Sequence, residues 1–109
     1  MRTRMFYVDT TNHVGLALEV RSAVVECTGL PDIKVYTVSQ KKDGVQEYLI
    51  KYERERSIER DPMYAYVGYS GRRAEVIVCD TLGEHYERTV DLVAGICGKR
   101  EESETPPPS

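Results

Sequence analysis

Two short segments of the chain carry the same pattern of residue types that could do chemistry. Each has an Asp-Thr step after an apolar stretch and a His soon afterwards, namely Asp9, Thr10 and His13 in the first copy and Asp80, Thr81 and His85 in the second. Carboxylate and imidazole groups bind divalent metals, and free amides at helix starts bind phosphate. If the two preceding strands lie parallel and adjacent, these residues form one small-molecule, phosphate or metal site, which could be hydrolytic. The same residues also suit simple helix capping.

Tyrosines and basic residues are interleaved through the middle of the chain. The candidate binding residues on a sheet face and its adjoining loop are Tyr36, Tyr48, Tyr52, Tyr66, Arg54, Arg56, Arg72 and Arg73. Aromatic rings beside basic groups stack single-stranded bases in sheet proteins. Tyrosine is equally favoured in half-buried sheets and in protein interfaces, and Glu47 and Glu53 among these residues would repel phosphates. The pattern therefore predicts a surface that binds a partner protein or nucleic acid.

Sequence motifs of enzymes are scarce, which favours a non-enzymatic binding module over an enzyme. The segment 68–71 contains two glycines but no Lys-Ser/Thr follows it, so it is not a phosphate-binding loop. Cys27 and His13 fall at opposite ends of one predicted helix, too far apart to form a nucleophile pair. The three cysteines include no Cys-x-x-Cys pair, which predicts free buried thiols. No cofactor is expected.

Hydrophobic spacing predicts two helices and five strands. Apolar residues recur at helical spacing over 13–28, where Gly29 and Pro31 end the helix. A capping box at 81–84 predicts the start of a second helix, and Gly98 its end. Branched and aromatic residues predict strands at 4–9, 33–40, 45–53, 63–69 and 73–79, and Asp43-Gly44 predicts a hairpin turn.

The resulting order, β-α-β-β-β-β-α, predicts a single α+β domain over residues 1–98. We expect a five-stranded, mostly antiparallel sheet with both helices on one face. The stretches 5–8 and 76–79 are apolar on both sides, which favours central positions for their strands. If the first two strands are parallel neighbours, their connection should cross over right-handed. Residues 99–109 are acidic and proline-ended, which predicts a disordered tail.

Composition narrows the function classes further. The formal charge of −3 excludes a global basic field for nucleic acid, and apolar runs are too short to span a bilayer. Because no apolar secretory segment follows the basic start, a cytoplasmic location is expected. Few amides beside abundant Glu and Arg are typical of thermophilic proteins. Helices on one face would leave residues such as Val76 or Ile77 uncovered on the other, which predicts a homo-oligomer, most simply a dimer.

Overall fold

The five strands form a single antiparallel sheet in the computed structural model, which describes residues 3–40, 45–52 and 63–104 and, within them, not the side chains of 38–40, 45, 52 and 101–104. The elements are β1 (Thr3–Asp9), α1 (His13–Thr28), β2 (Ile33–Gln40), β3 (Val45–Tyr52), β4 (Met63–Ser70), β5 (Arg73–Cys79), a 3-10 segment (Asp80–His85) and α2 (Tyr86–Glu104). The strand order across the sheet is β1-β5-β4-β3-β2. The predicted α+β fold and element order are confirmed.

The position of β1 differs from the prediction. β1 lies at one edge of the sheet and β2 at the other, so they are not parallel neighbours. β1 pairs with β5 antiparallel, from Thr3 opposite Cys79 to Asp9 opposite Arg73. Strands β2, β3 and β4 each pair with the strand that follows, as successive antiparallel strands commonly do, and β1 completes the sheet on the free edge of β5. The prediction of a central first strand was therefore wrong, whereas β5 is an inner strand.

Helix α1 has the predicted bounds because local signals fix both ends. Leu16, Val20 and Val24 recur at helical spacing and are fully buried. At the start, the side-chain oxygen of Asn12 accepts a hydrogen bond from the Gly15 amide at 2.9 Å. At the end, Gly29 takes a left-handed conformation, with φ of 70°, and its amide donates to the Val25 carbonyl at 2.8 Å.

Substitution of Asn12 tests whether its side chain stabilises the start of α1. We expect Asn12→Ala to lower the free energy of unfolding by about 1 kcal/mol, because the Gly15 amide loses its acceptor. Asn12→Asp keeps an acceptor oxygen at the same place and serves as the control. Urea unfolding of the three proteins measures the effect, and equal losses in both variants would contradict a capping role.

Helix α2 begins later and ends later than the sequence predicts. Gly83, at φ 59° and ψ −120°, interrupts the helical path, so residues 80–85 form a separate 3-10 segment. The Thr81 hydroxyl does not cap the helix but donates to the Met63 carbonyl at 2.7 Å. At the other end the helix runs past Gly98 to Glu104. Residues 99–104 are therefore helical and not part of a tail, and 105–109 lie outside the described residues.

A contact between the two helices explains why α2 continues past Gly98. The guanidinium of Arg100 donates to a carboxylate oxygen of Glu19 at 2.8 Å and to the Thr10 hydroxyl at 3.4 Å. It also donates to the Asn12 carbonyl at 3.3 Å. These charge-assisted bonds anchor the last turns of α2 to the start of α1, and they offset the roughly 1 kcal/mol that an interior glycine costs a helix.

Both helices pack on the same side of the sheet, which we call the covered face. Its fully buried strand residues include Ile33, Ile50, Ala65, Val67, Ala74, Val76 and Val78. Because side chains alternate along strands, the intervening residues form the opposite side, the open face. Among the described elements, neither helix lies on it. Val76, which the sequence analysis placed there, is on the covered face, and only Ile77 lies on the open face.

Candidate functional site: the open face of the sheet

The two Asp-Thr steps lie at opposite ends of the sheet. β1 and β5 are adjacent, but their antiparallel register puts Asp9 beside Arg73, whereas Asp80 follows Cys79 at the Thr3 end. A strand of this length separates the two ends by about 20 Å. The parallel pairing that would bring the two steps together is therefore not found, and they do not form one shared site.

The first copy of the pattern has structural contacts. Thr10 is fully buried, its amide donates to the Arg72 carbonyl at 2.8 Å, and its hydroxyl accepts from the Asn12 amide at 3.2 Å. The His13 ring stacks on the Tyr69 ring, with centroids 3.7 Å apart and planes within 9°. These contacts hold the start of α1 against the sheet.

The second copy contains no cluster that resembles a metal site. The His85 ring nitrogen lies 3.5 Å from a Glu84 oxygen at the surface, and Thr81 bonds to backbone. Among residues 3–40, 45–52 and 63–104, no three His, Cys, Asp or Glu side chains converge as a metal ion would require. Within that part of the chain, neither copy of the pattern therefore forms a metal site.

The predicted tyrosine surface divides between the two faces. Tyr36 and Tyr66 lie on the open face, whereas Tyr48 is buried under the helices, with its hydroxyl 3.5 Å from that of Tyr69. Tyr52 pairs with Ile33 in the backbone register, and its side chain lies outside the part of the chain that the structure describes. The prediction of a single face carrying all four tyrosines was therefore wrong, because Tyr48 is buried on the covered face.

The predicted basic residues also separate. Arg73 lies on the open face at the start of β5, and Arg72 is exposed in the turn that precedes it. Arg54 and Arg56 fall outside the described residues, so their predicted role stays a prediction. In the part of the chain that the structure describes, the basic residues of the open face are Arg73, Lys34 and Lys51, of which Lys51 is only 8% exposed.

One apolar side chain from every strand lines up across the open face. The cross-strand partners run Met5–Ile77, Ile77–Tyr66, Tyr66–Leu49 and Leu49–Tyr36. We call these five residues the apolar row. Met5 is 44% exposed, and the other four are only partly buried. A continuous apolar row on an uncovered face is typical of an interaction surface.

Charged residues of opposite sign flank the apolar row. Each of them lies two residues along its strand from a member of the row. Glu47 and Glu75 lie on one side of the row, which we call the acidic side, and Lys34 and Lys51 lie on the other, the basic side. The Tyr66 hydroxyl donates to a Glu47 oxygen at 2.9 Å, which ties the row to its acidic side. Arg73, two residues before Glu75 on β5, also lies on the acidic side, and Lys51 is only 8% exposed, so charges of both signs surround the row.

A shallow hollow lies on the acidic side, above Gly68. Because Gly68 has no side chain, the Tyr66 ring folds over it, and a Cβ at this position would lie 2.5 Å from the Tyr66 hydroxyl. The hollow, of about 170 Å³, is walled by Tyr7, Tyr66, Arg73 and Glu75. The Arg73 guanidinium lies 4.6 Å from the Tyr7 ring centroid, a cation–π contact that orders one wall.

Two ionisable groups of the open face, Tyr66 and Cys79, have raised pKa values. Partial burial, and then the bond to Glu47, raise the pKa of Tyr66 to about 12. Burial, and then the nearby Asp80 charge, also raise the pKa of the Cys79 thiol. Since a thiolate is the reactive form of cysteine, the raised pKa makes Cys79 a poor nucleophile.

The shifted tyrosines predict a loss of stability in alkali. Tyr48 and Tyr66 both have folded pKa values of about 12, against an unfolded value of 10.0. Between these values the unfolded chain releases protons that the folded chain keeps, so the free energy of unfolding falls as pH rises. We expect a smaller fall for Tyr66→Phe than for the unsubstituted chain in urea unfolding across this range, and parallel curves would show that Tyr66 is not shifted.

No family model, curated protein or solved structure matches the chain. Among the described helices, neither combines the length and hydropathy needed to cross a bilayer. The case for function therefore depends on the geometry of the open face.

Tyr7 and Met5 are surface residues that were not predicted, because β1 was expected to lie centrally in the sheet. The alternation along β1 contained the signal: Arg4, Phe6 and Val8 point to the covered side, and Met5 and Tyr7 to the open side. Such a period of two is typical of a strand with one exposed face.

Proposed function

We propose that this protein is a non-enzymatic binding module that docks protein through the open face of its sheet and forms a homo-oligomer. The observation that carries the proposal is the apolar row, which crosses all five strands on the face away from both helices. Burial of such a row contributes about 25 cal/mol of binding free energy for each Å² of apolar area removed from water. Because neither helix covers this face, the burial requires a docked partner.

The charge balance favours a protein partner over nucleic acid. The described open face carries equal numbers of each sign, namely Asp9, Glu47 and Glu75 against Lys34, Lys51 and Arg73. Nucleic-acid surfaces need an excess of positive charge, because neutralising phosphates supplies most of the affinity. An apolar row with mixed charges around it instead resembles the apolar centre and polar rim of a protein interface.

The size of the face sets the expected strength of association. Five strands about 4.8 Å apart and seven residues of about 3.3 Å each give a surface of roughly 550 Å² per partner. The total of roughly 1,100 Å² lies near the lower end of specific interfaces. We therefore expect a reversible dimer whose population rises with concentration.

Sedimentation of the full chain over a concentration series tests the proposal. The expected result is a shift from the chain mass of 12.4 kDa to twice that mass as concentration rises. A chain that stays monomeric at every concentration, yet binds single-stranded oligonucleotides with an affinity that falls steeply with salt, would replace this proposal with a nucleic-acid function.

A further inference from the structure

Strand β1 carries the sequence of an inner strand but lies at an edge of the sheet. Its residues 5–8 are apolar on both faces, a pattern typical of fully buried strands, yet Met5 is 44% and Tyr7 52% exposed. Edge strands usually avoid further pairing through Lys, Pro or a bulge. Residues 3–9 contain none of these and place their two charges, Arg4 and Asp9, toward the ends. We propose that β1 pairs antiparallel with β1 of a second copy of this chain, which continues the sheet from one copy into the other.

The other edge strand, β2, is better protected. Lys34 is exposed on it, and the Ile33 carbonyl accepts a hydrogen bond from the Arg21 side chain at 2.7 Å. A charged side chain on the strand and a side-chain bond to its backbone both oppose the addition of another strand. Of the two edges of the sheet, β1 is therefore the one that is open to pairing.

The hydrogen bonding of β1 shows which of its backbone groups point outward. The Thr10 amide donates to the Arg72 carbonyl at 2.8 Å, one step beyond the pairing of Asp9 with Arg73. In an antiparallel ladder, residues alternate between those bonded to the neighbouring strand and those directed away from it. The even-numbered residues of β1 are therefore bonded to β5, and the amides and carbonyls of the odd-numbered residues from 3 to 9 point toward the edge.

These outward groups determine the register of the pair. Odd-numbered residues must lie opposite odd-numbered residues, and the register that pairs all seven residues of β1 places Phe6 opposite Phe6 of the partner subunit. Arg4 then faces Val8 of the partner subunit, and Asp9 faces Thr3 of the partner subunit. Because neither charge faces a like charge, which would destabilise the pair, the strand is complementary to itself in this register.

The same register covers the two exposed apolar side chains of β1. Met5 lies opposite Tyr7 of the partner subunit, and Tyr7 opposite Met5 of the partner subunit, on the open-face side of the strand. A thioether beside an aromatic ring is a favourable contact, and such cross-strand pairs stabilise sheets. Pairing with a second copy therefore accounts for the exposure of apolar residues along this edge.

Edge pairing rests on the proposed function for the dimers that it joins, but it uses a different surface from the open face. Seven residues of about 3.3 Å each and a thickness of about 10 Å give roughly 230 Å² per partner. A specific interface needs roughly 1,000 Å² or more in total, so the edge contact alone is weak. We therefore expect it to join face-docked dimers into larger assemblies as concentration rises.

Disulfide formation between copies tests the pairing. Phe6 faces its own copy in a pair whose Cα atoms are about 4.5 Å apart, within the range of about 4.4–6.8 Å that a disulfide spans. Under mild oxidation we expect Phe6→Cys to give at least tenfold more linked chains than Arg4→Cys. Arg4 is the more exposed residue of the two and lies on the same face, but its own copy is about 13 Å away along the strands. Random collision would therefore favour the opposite order.

A second measurement covers the case in which Phe6→Cys does not fold, since Phe6 packs against the core. Met5→Cys and Tyr7→Cys replace exposed residues, and in the proposed register a mixture of these two variants links at least tenfold more than either variant alone. Face docking does not produce this link, because packed sheets lie about 10 Å apart, beyond the reach of a disulfide. The unsubstituted chain is the background control, since its three cysteines are buried.

The outcomes separate edge pairing from face docking. A dimer in sedimentation that gives no link in either experiment would overturn edge pairing and leave the binding module intact. Linking of Arg4→Cys above Phe6→Cys would indicate a different register and would also overturn the arrangement. Linking of Phe6→Cys, together with an association that Ile77→Lys leaves unchanged, would support edge pairing and refute docking through the open face.

Discussion

Replacing Ile77 with lysine is expected to make the protein monomeric. Ile77 lies on β5 between Met5 and Tyr66 in the apolar row, where it is partly buried within one chain. Burial of such a side chain contributes about 1.5–3 kcal/mol, and a two-fold dimer contains the position twice. The substitution removes this burial free energy at both positions and places two lysines against an apolar surface, so it should raise the dimer Kd at least 100-fold.

The control for Ile77→Lys is Leu18→Lys, which makes the same chemical change on the outer side of α1, where Leu18 is 52% exposed. Sedimentation compares the masses of both variants at equal concentration, and circular dichroism confirms that each is folded. Retention of the dimer by Ile77→Lys, or its loss from both variants, would contradict docking through the open face.

Replacing Leu16 with alanine is expected to cause the largest loss of stability by a single truncation in α1. Leu16 is fully buried where the helix packs on the covered face. Truncation removes buried methyl groups and leaves a cavity, which together cost about 2–5 kcal/mol. For a domain of about this size the whole folding free energy is only about 5–15 kcal/mol, so the variant should unfold at much lower urea concentration.

Leu18→Ala is the matched control, two residues further along the same helix and 52% exposed. We expect it to change the free energy of unfolding by no more than about 0.5 kcal/mol. Urea denaturation measured at low concentration, where the monomer prevails, keeps dimerisation out of the comparison. Similar losses in the two variants would mean that α1 does not pack on its Leu16 side.

The secondary structure was largely predictable because its signals are local. The cap at Asn12, the left-handed Gly29 and the apolar spacing between them predict α1 to the residue. Strand bounds follow in the same way from alternation and turn residues. The start and end of α2 were wrong because non-local contacts decide them, namely the Thr81 bond to Met63 and the Arg100 bond to Glu19.

The candidate site was only partly predictable. Alternation places neighbours such as Tyr48 and Leu49 on opposite faces of a strand, but nothing in a strand's own sequence says which strand lies beside it or which face the helices cover. The prediction that Asp9 and Asp80 meet required a parallel pair, and the antiparallel register separates them by the length of the strand. The apolar row likewise becomes visible only when five strands are placed in register.

The sequence by itself determined two helices, five strands, their order along the chain and a tyrosine-rich sheet, because capping, glycine conformation and side-chain periodicity act over a few residues. The tertiary structure decided that β1 occupies an edge, that the two Asp-Thr steps lie at opposite ends of the sheet, and that an apolar row with charged residues on both sides lies on the open face. These features depend on which distant strands pair and in what register, and pairing is set by the burial of the whole covered face under both helices.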